Sequence, residues 1–179
     1  MDKVRFAIVG CGVIGPTHAE AIKNIDMAEL KAVCDIIPER AKAMGEKYGA
    51  EWYTDYKELL ARKDIDVVNI CVPSGLHADI GIEAAKAGKH VLVEKPIDIT
   101  LEKADALIEA CKKAGVKLTV ISQHRFDPGI KELKNAIDTG KIGKLVMADA
   151  YVKWWRTQEY YESGDWRGTW ALDGGGALM

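Results

Sequence analysis

The sequence predicts an α/β fold of the doubly wound type, a parallel sheet with helices on both faces. Over roughly the first two thirds of the chain, short apolar runs alternate with amphipathic segments, the pattern of strands joined by crossover helices. A glycine-rich turn, Gly10-Cys11-Gly12-Val13-Ile14-Gly15, directly follows the first apolar run and opens the first helical segment. The run Val67-Val68-Asn69-Ile70-Cys71-Val72 is almost wholly apolar, as a strand covered on both faces must be.

In chain order, the strands are expected at Val4–Val9, Leu30–Asp35, Val67–Val72, His90–Glu94 and Lys117–Ser122. Helices are expected at Ile14–Asn24, Pro38–Tyr48, Leu76–Ala87, Leu101–Ala114 and Pro128–Thr139. Pro38 suits a first helical position, where its missing N–H leaves nothing unpaired. Gly88, Gly115 and Gly140 each follow a helical pattern, where a left-handed residue terminates the helix. After Gly143 the rhythm changes. Lys144–Trp155 reads as one long strand, followed by residues rich in Trp, Tyr and Arg and by the stretch Asp173-Gly174-Gly175-Gly176. The expected division is a dinucleotide-binding domain over 1–122, then a connecting helix and the beginning of an incomplete α+β open-sheet domain over 123–179.

Composition narrows the class of function. The 179 residues are 48% hydrophobic and 29% charged, and 25 basic side chains nearly balance 27 acidic ones. Without a block of like charge, the chain has no electrostatic footprint for nucleic acid or an anionic membrane. No apolar run approaches the roughly 20 residues that span a bilayer, and Met1–Val9 lacks the plan of a signal peptide, so a cytoplasmic enzyme with a small-molecule partner is expected. Cys11, Cys34, Cys71 and Cys111 stand far apart, which suits buried reduced thiols rather than a zinc site or a disulfide framework.

The glycine turn carries the first chemistry. In a G-x-G-x-x-G between strand and helix, the first glycine permits a tight turn and the second lets the backbone approach a pyrophosphate. The third allows close helix–strand packing, while the helix N-terminus presents free N–H groups to the anion. Gly10, Cys11, Gly12, Val13, Ile14 and Gly15 are therefore the expected phosphate cradle of a Rossmann domain. Asp35 lies 20 positions after Gly15, at the end of the second strand. A carboxylate there accepts from ribose hydroxyls and repels a 2′-phosphate, favouring NAD, with NADP kept as the alternative because Arg40 is near in sequence. Asp35 could instead serve as a cap for the Pro38 helix.

Val91-Leu92-Val93-Glu94-Lys95-Pro96 ends a strand at the carboxyl edge of the sheet, where doubly wound folds present ligands. Taken with Val72-Pro73-Ser74-Gly75-Leu76-His77, Ala87-Gly88-Lys89-His90 and the glycine turn, it resembles the Gfo/Idh/MocA oxidoreductases over essentially the whole chain. The resemblance implies nicotinamide-dependent hydride transfer at a carbinol carbon, with a second domain whose open sheet floors the substrate. Lys95 is similar to the family lysine that reaches the reacting hydroxyl, where a cationic donor stabilises developing negative charge and can pass the proton. A solvated strand-end lysine is the bland alternative. The resemblance further implies cofactor contacts for Val72, Pro73, Ser74, His77, Glu94, Lys95 and Gln123, and a Lys95–Pro96 bond that is often cis in the family. His77 can equally be read as a surface histidine at a helix start, and Arg125 as a partner of Asp127 or a helix cap; His18 and His90 are expected to be structural.

For the substrate, Lys95, Arg125, Arg156, Gln158, Tyr160, Trp166 and Arg167 are the expected contacts, since aromatics stack on sugar faces and guanidinium groups suit carboxylate or phosphate. This stretch resembles the family branch that oxidises the 3-hydroxyl of UDP-linked N-acetylated amino sugars or their uronic acids. An inositol or free-sugar dehydrogenase is the alternative, and a non-catalytic NAD(H)-binding module the alternative class. Family members usually pair through the C-terminal sheet, which implies a homo-dimer or homo-tetramer for the full-length enzyme. In the family, a glycine stretch like Asp173–Gly176 precedes a G-x-H-x-x-D segment whose histidine shares a proton with the lysine, and none of the four histidines here has that place. Asp173 itself is expected to form a turn. The 179 residues alone are expected to bind NAD(H) without oxidising sugars at a useful rate.

Overall fold

The computed structural model describes residues 3–175, which fall into two bodies. One comprises residues 3–121 and 168–175, the other Ser122–Arg167. In the first body the strands are β1 (Val4–Val9), β2 (Ala28–Cys34), β3 (Glu51–Tyr53), β4 (Val67–Ile70), β5 (His90–Val93) and β6 (Leu118–Val120). They form one sheet in the order β3-β2-β1-β4-β5-β6 with every pairing parallel. This is the dinucleotide-binding strand order, in which the chain winds outward from β1 in one direction and from β4 in the other. The helices are α1 (Gly15–Lys23), α2 (Pro38–Tyr48), α3 (Tyr56–Leu60), α4 (His77–Lys86) and α5 (Leu101–Ala114).

Side-chain alternation along the strands divides the core between the two faces. Ala7 and Val9 of β1 and Ala32 and Cys34 of β2 join the cluster containing Leu59, Ile80 and Leu107 of α3, α4 and α5. The intervening Ile8 and Val33 join Ala19, Ile22 and Met44 of α1 and α2. A period of two sends successive residues to opposite faces, so both faces of the strands must be apolar. Each fully buried aliphatic chain such as Ile8 or Leu107 contributes about 1.5–3 kcal/mol of transfer free energy.

The helices start and stop for local reasons. Thr100 caps α5 by accepting from the Lys103 amide, Pro38 occupies the first turn of α2, and Gly88, Gly115 and Gly140 have the positive φ expected of helix terminators. Sequence periodicity does not foresee β3 or α3. β3 is a three-residue edge strand and α3 a five-residue helix, each too short to express a period. The available signal is Asp55, whose carboxylate accepts from the Lys57 amide 2.8 Å away and caps α3.

The second body contains a 3₁₀ turn at Gln123–Phe126 and two helices, α6 (Pro128–Asp138) and α7 (Gln158–Glu162). Lys144–Trp155, expected as a strand, is not one: it is irregular backbone with Val146 and Met147 exposed. Apolar alternation marks the capacity to form a strand, but the strand itself requires a neighbour to satisfy its N–H and C=O groups, and that body has none among the described residues. Residues 168–175 belong with the first body: the Gly75 amide donates to Leu172 O at 2.9 Å, and Gly174 lies against Ile99. Asp173 forms a turn there by accepting from the Gly168 amide at 2.7 Å, while Gly176 lies outside the described residues. Among the described residues no helix is long and apolar enough to cross a membrane.

A Cβ on Gly15 would stand 2.3 Å from the Gly10 carbonyl oxygen, whereas one on Gly12 would meet nothing within 4 Å. Gly15→Ala is therefore expected to lower stability by about 1–3 kcal/mol, the usual cost of overpacking, and Gly12→Ala to leave it nearly unchanged. Urea unfolding midpoints of the two variants check the contrast.

Candidate active site

The carboxyl ends of β1 and β4 adjoin, and the chain leaves them in opposite directions, so a crevice opens between their loops. Gly10 sits at its base with φ 103°, and a side chain there would strike Cys71 O at 2.3 Å. Gly10 and Gly15 thus answer to protein packing. Gly12 faces open space, which is what a cradle for a bound phosphate requires. Behind the loop, α1 begins at Ile14 without a side-chain cap and without an acidic residue in its first turn. Pro16 has no N–H and the Thr17 amide donates to Ile14 O, so the Gly15 amide and the helix dipole are what is left for an anion.

Cys11 contributes backbone rather than thiol. Burial, reinforced by Asp35, pushes its thiol up to about 12, so it is not a nucleophile. Its amide instead donates to Asp35 Oδ2 at 2.8 Å, while Ile37 N donates to Asp35 Oδ1 at 2.9 Å. The carboxylate is thereby oriented by the glycine loop on one side and by its own turn on the other. The N-cap position of α2 belongs to Ile37, not Asp35. Val13 projects into solvent beside this loop. Across the crevice, Val72 and Pro73 lead into a 3₁₀ turn, Ser74–Leu76, in which Ser74 is buried.

The Lys95 turn follows β5 at the same sheet edge and is pinned at three alternate positions. Glu94 Oε1 lies 2.9 Å from His18 Nε2, and Glu94 Oε2 accepts from the Lys95 amide at 3.1 Å. Pro96 O lies 2.7 Å from His77 Nδ1, and His77 Nε2 is 2.9 Å from Val72 O. Asp98 Oδ2 accepts from the Ala78 amide at 2.8 Å, at the start of α4. With 94, 96 and 98 held inward, Lys95 is exposed, and its side chain has no hydrogen-bond partner among the described residues. The Lys95–Pro96 peptide is cis.

Two expected cofactor contacts have inward roles instead. His77 is 1% exposed, not a surface histidine, and both ring nitrogens already face carbonyl oxygens, so it serves the site by joining the Val72 loop to the Lys95 turn. Glu94 is likewise turned inward. Burial opposes its charge, but the bonds from His18 and the Lys95 amide prevail and hold the carboxyl below its ordinary range. His90 is structural, its Nδ1 accepting from the Lys117 amide.

The recess lined by Lys3, Arg5, Glu29, Lys31, Asp64 and Asp66 is at the opposite, amino end of the strands. Arg5 pairs there with Asp66 and Lys31 with Glu29, and the Arg5 guanidinium holds the Asp66 carboxyl down at about 2. It is not where this fold presents a ligand.

The second body gathers four of the expected substrate contacts. The Arg156 guanidinium lies 4.3 Å from the Trp154 ring and 4.8 Å from Tyr160; that of Arg167 lies 4.3 Å from Tyr160 and 4.8 Å from Trp166. Two cations thus stack on one tyrosine. Gln158 is on α7, bonded to Glu162, and is not part of this stack. Gln123 and Arg125 are exposed in the 3₁₀ turn, where Asp127 pairs with His124 rather than Arg125.

Residues 4–122 match the Gfo/Idh/MocA oxidoreductase family, NAD-binding Rossmann fold, and residues 130–179 match a C-terminal domain of that family. The chain is 42% identical over 142 residues to myo-inositol 2-dehydrogenase from Thermotoga maritima, covering 79% of this chain and 42% of the relative. It is similar to the WlbA dehydrogenase from Bordetella pertussis, solved in complex with NADH and UDP-GlcNAcA, at 39% identity and a TM-score of 0.93, covering 96% of this chain and 50% of that one. A putative myo-inositol dehydrogenase from Sinorhizobium meliloti gives 40% identity and a TM-score of 0.74 over 79% of this chain and 43% of that one. The chain therefore spans about half the length, or less, of the relatives it matches.

A carboxylate at the end of the second strand of a dinucleotide-binding sheet is expected to repel a 2′-phosphate. Asp35→Ala is expected to bring the affinities for NADH and NADPH closer together, mainly by weakening NADH; fluorescence titration with both dinucleotides measures the ratio, and an unchanged ratio removes Asp35 from this role.

Proposed function

The chain belongs to the Gfo/Idh/MocA family, and on that premise we propose that it serves an NAD-dependent dehydrogenase acting on a secondary hydroxyl of a sugar nucleotide, the 3-hydroxyl of a UDP-linked N-acetylated amino sugar or its uronic acid. The observation that carries this reading is the likeness to the WlbA dehydrogenase, which takes in 96% of the chain and so extends past the Rossmann domain. The inositol dehydrogenase likeness covers 79%. The Arg156–Tyr160–Arg167 stack supports it as well, since guanidinium groups held on aromatic faces suit a carboxylate or diphosphate.

NAD fits the residues present. The amides of Gly12 to Gly15, with the α1 dipole behind them, would hold the pyrophosphate, Asp35 the adenosine ribose, and Val72, Pro73 and Ser74 the nicotinamide end. When bound, the nicotinamide supplies the hydride acceptor. Lys95, exposed at the carboxyl edge and free of protein partners among the described residues, as the neutral amine accepts the proton of the reacting hydroxyl during oxidation and becomes an ammonium. That ammonium donates a hydrogen bond to the product carbonyl oxygen and, in the reverse direction, stabilises the negative charge developing there and returns the proton. Gln123 would meet the cofactor, while Arg125, Gln158 and the stacked residues, Trp166 among them, would serve the substrate. The exposed apolar side chains of Val146, Met147, Tyr151 and Trp155 support a segment that further protein covers, as in a homo-dimer or homo-tetramer of the full-length enzyme. Four buried free cysteines support a reducing, cytoplasmic setting.

The inositol reading keeps one observation in its favour, the 42% identity over 142 residues. The full-length enzyme offered NAD with UDP-sugars, free sugars and cyclitols is expected to reduce NAD, read by absorbance, with the UDP-N-acetyl sugars. Turnover only with cyclitols or free sugars transfers the assignment to them, and NADH binding with no turnover leaves a non-catalytic binding module. In the same enzyme, Lys95→Ala is expected to lower turnover by roughly 10²-fold or more while NADH binding persists; near-normal turnover refutes the role given to Lys95.

A further inference from the structure

A line of buried polar side chains crosses the Rossmann core beneath the site. Asn69, in the middle of β4 and 2% exposed, donates from Nδ2 to His18 Nδ1 at 3.2 Å. Because that nitrogen accepts, the ring proton is on Nε2, which faces Glu94 Oε1 at 2.9 Å. The other Glu94 oxygen accepts from the Lys95 amide. The line runs without a gap from the centre of the sheet through α1 to the lysine turn.

Stability does not explain it. The central positions of a parallel sheet are normally aliphatic, and Asn69 Oδ1 is buried without a hydrogen-bond partner, a cost of about 1–3 kcal/mol. Apolar residues of similar volume in place of a buried polar group of this kind are often neutral or stabilising. What the polar line provides is geometry. His18 stands three residues after Gly15, so it is about 4.5 Å along the helix from the phosphate cradle and moves with it. Glu94 is adjacent to Lys95 and spends one oxygen on each neighbour.

We propose that His18 is a positioning residue for Lys95: through Glu94 it fixes the backbone of the lysine turn to α1, the helix whose N-terminus receives the dinucleotide phosphates, so that seating the cofactor also sets the lysine. The inference rests on the reading of Lys95 as the residue that meets the reacting hydroxyl, but its test does not depend on turnover.

The direct readout is amide hydrogen exchange at Lys95, measured by NMR on the full-length enzyme with and without NADH. His18→Met removes the donor at similar length, and His18→Gln keeps an N–H for Glu94. Exchange of the Lys95 amide is expected to rise about tenfold in His18→Met and to return toward wild type in His18→Gln, with the core amides of Ile8, Val68 and Val91 unchanged. NADH is expected to slow that amide in wild type and to lose this effect in His18→Met. Uniform acceleration of all core amides makes His18 merely structural and overturns the proposal, as does an unchanged Lys95 amide or an NADH effect that survives the substitution. Should His18→Met not fold, Glu94→Asp, which withdraws the carboxylate by one methylene, must give the same local result. If Lys95→Ala retains turnover while His18→Met still frees the Lys95 amide, the catalytic reading falls and the positioning role stands.

Discussion

At the carboxyl edge of the sheet the backbone of Gly10 is pressed against the carbonyl of Cys71, and the backbone of Gly15 against the carbonyl of Gly10, each with no room for a methyl group. The Gly10 amide donates to Cys34 O and the Cys71 amide to Val9 O, so the ends of β1, β2 and β4 are drawn into one knot of main chain. Everything functional is arranged around it. The crevice exists because the chain departs from β1 and β4 in opposite directions, and it is narrow because the glycines let the two ends meet. The opening of α1, the carboxylate of Asp35 and the loop at Val72 all take their positions from this contact.

The second organising fact is that the Lys95 turn is tied down through its neighbours rather than through itself. Glu94, Pro96 and Asp98 each receive a bond from a different part of the fold: α1, the His77 ring and the start of α4. A lysine whose own side chain is unpartnered would otherwise wander, since a four-carbon stem has about 2 kcal/mol of rotamer entropy. Fixing the backbone on both sides sets the point from which that stem reaches before any ligand arrives and leaves the amine unengaged.

The parts of this arrangement that were legible in the sequence are those with a local signature. The glycine turn, the apolar β4 run and the proline and glycine helix boundaries each express a rule confined to a few neighbouring residues, and the strands and helices they mark are present. Edge strand β3 has no such signature, because three residues carry no period. Lys144–Trp155 shows the converse, a strand-like pattern that stays irregular for want of a pairing edge among the described residues. The site divides in the same way. Asp35 could be located from its spacing to the glycine turn, and Lys95 from the family resemblance of the Glu94-Lys95-Pro96 triplet. The inward turn of Glu94, the burial of His77 and the Asn69–His18 line could not, since they depend on residues 19 to 76 positions apart in sequence.

The carboxylate of Asp35 has two duties in one group. In the role proposed for it, it tells one dinucleotide from another, and it is also the acceptor for the amide of Cys11 inside the glycine loop. Discrimination and loop geometry are therefore entangled. A lineage drifting toward the phosphorylated cofactor cannot simply discard the acid, because the buried Cys11 N–H would be stranded and the loop would slacken for either dinucleotide. The accessible route passes through short side chains that still accept a hydrogen bond but carry no charge, such as serine or asparagine, with a basic residue recruited afterwards. Arg40, already in the first turn of α2, is placed in sequence to be that recruit.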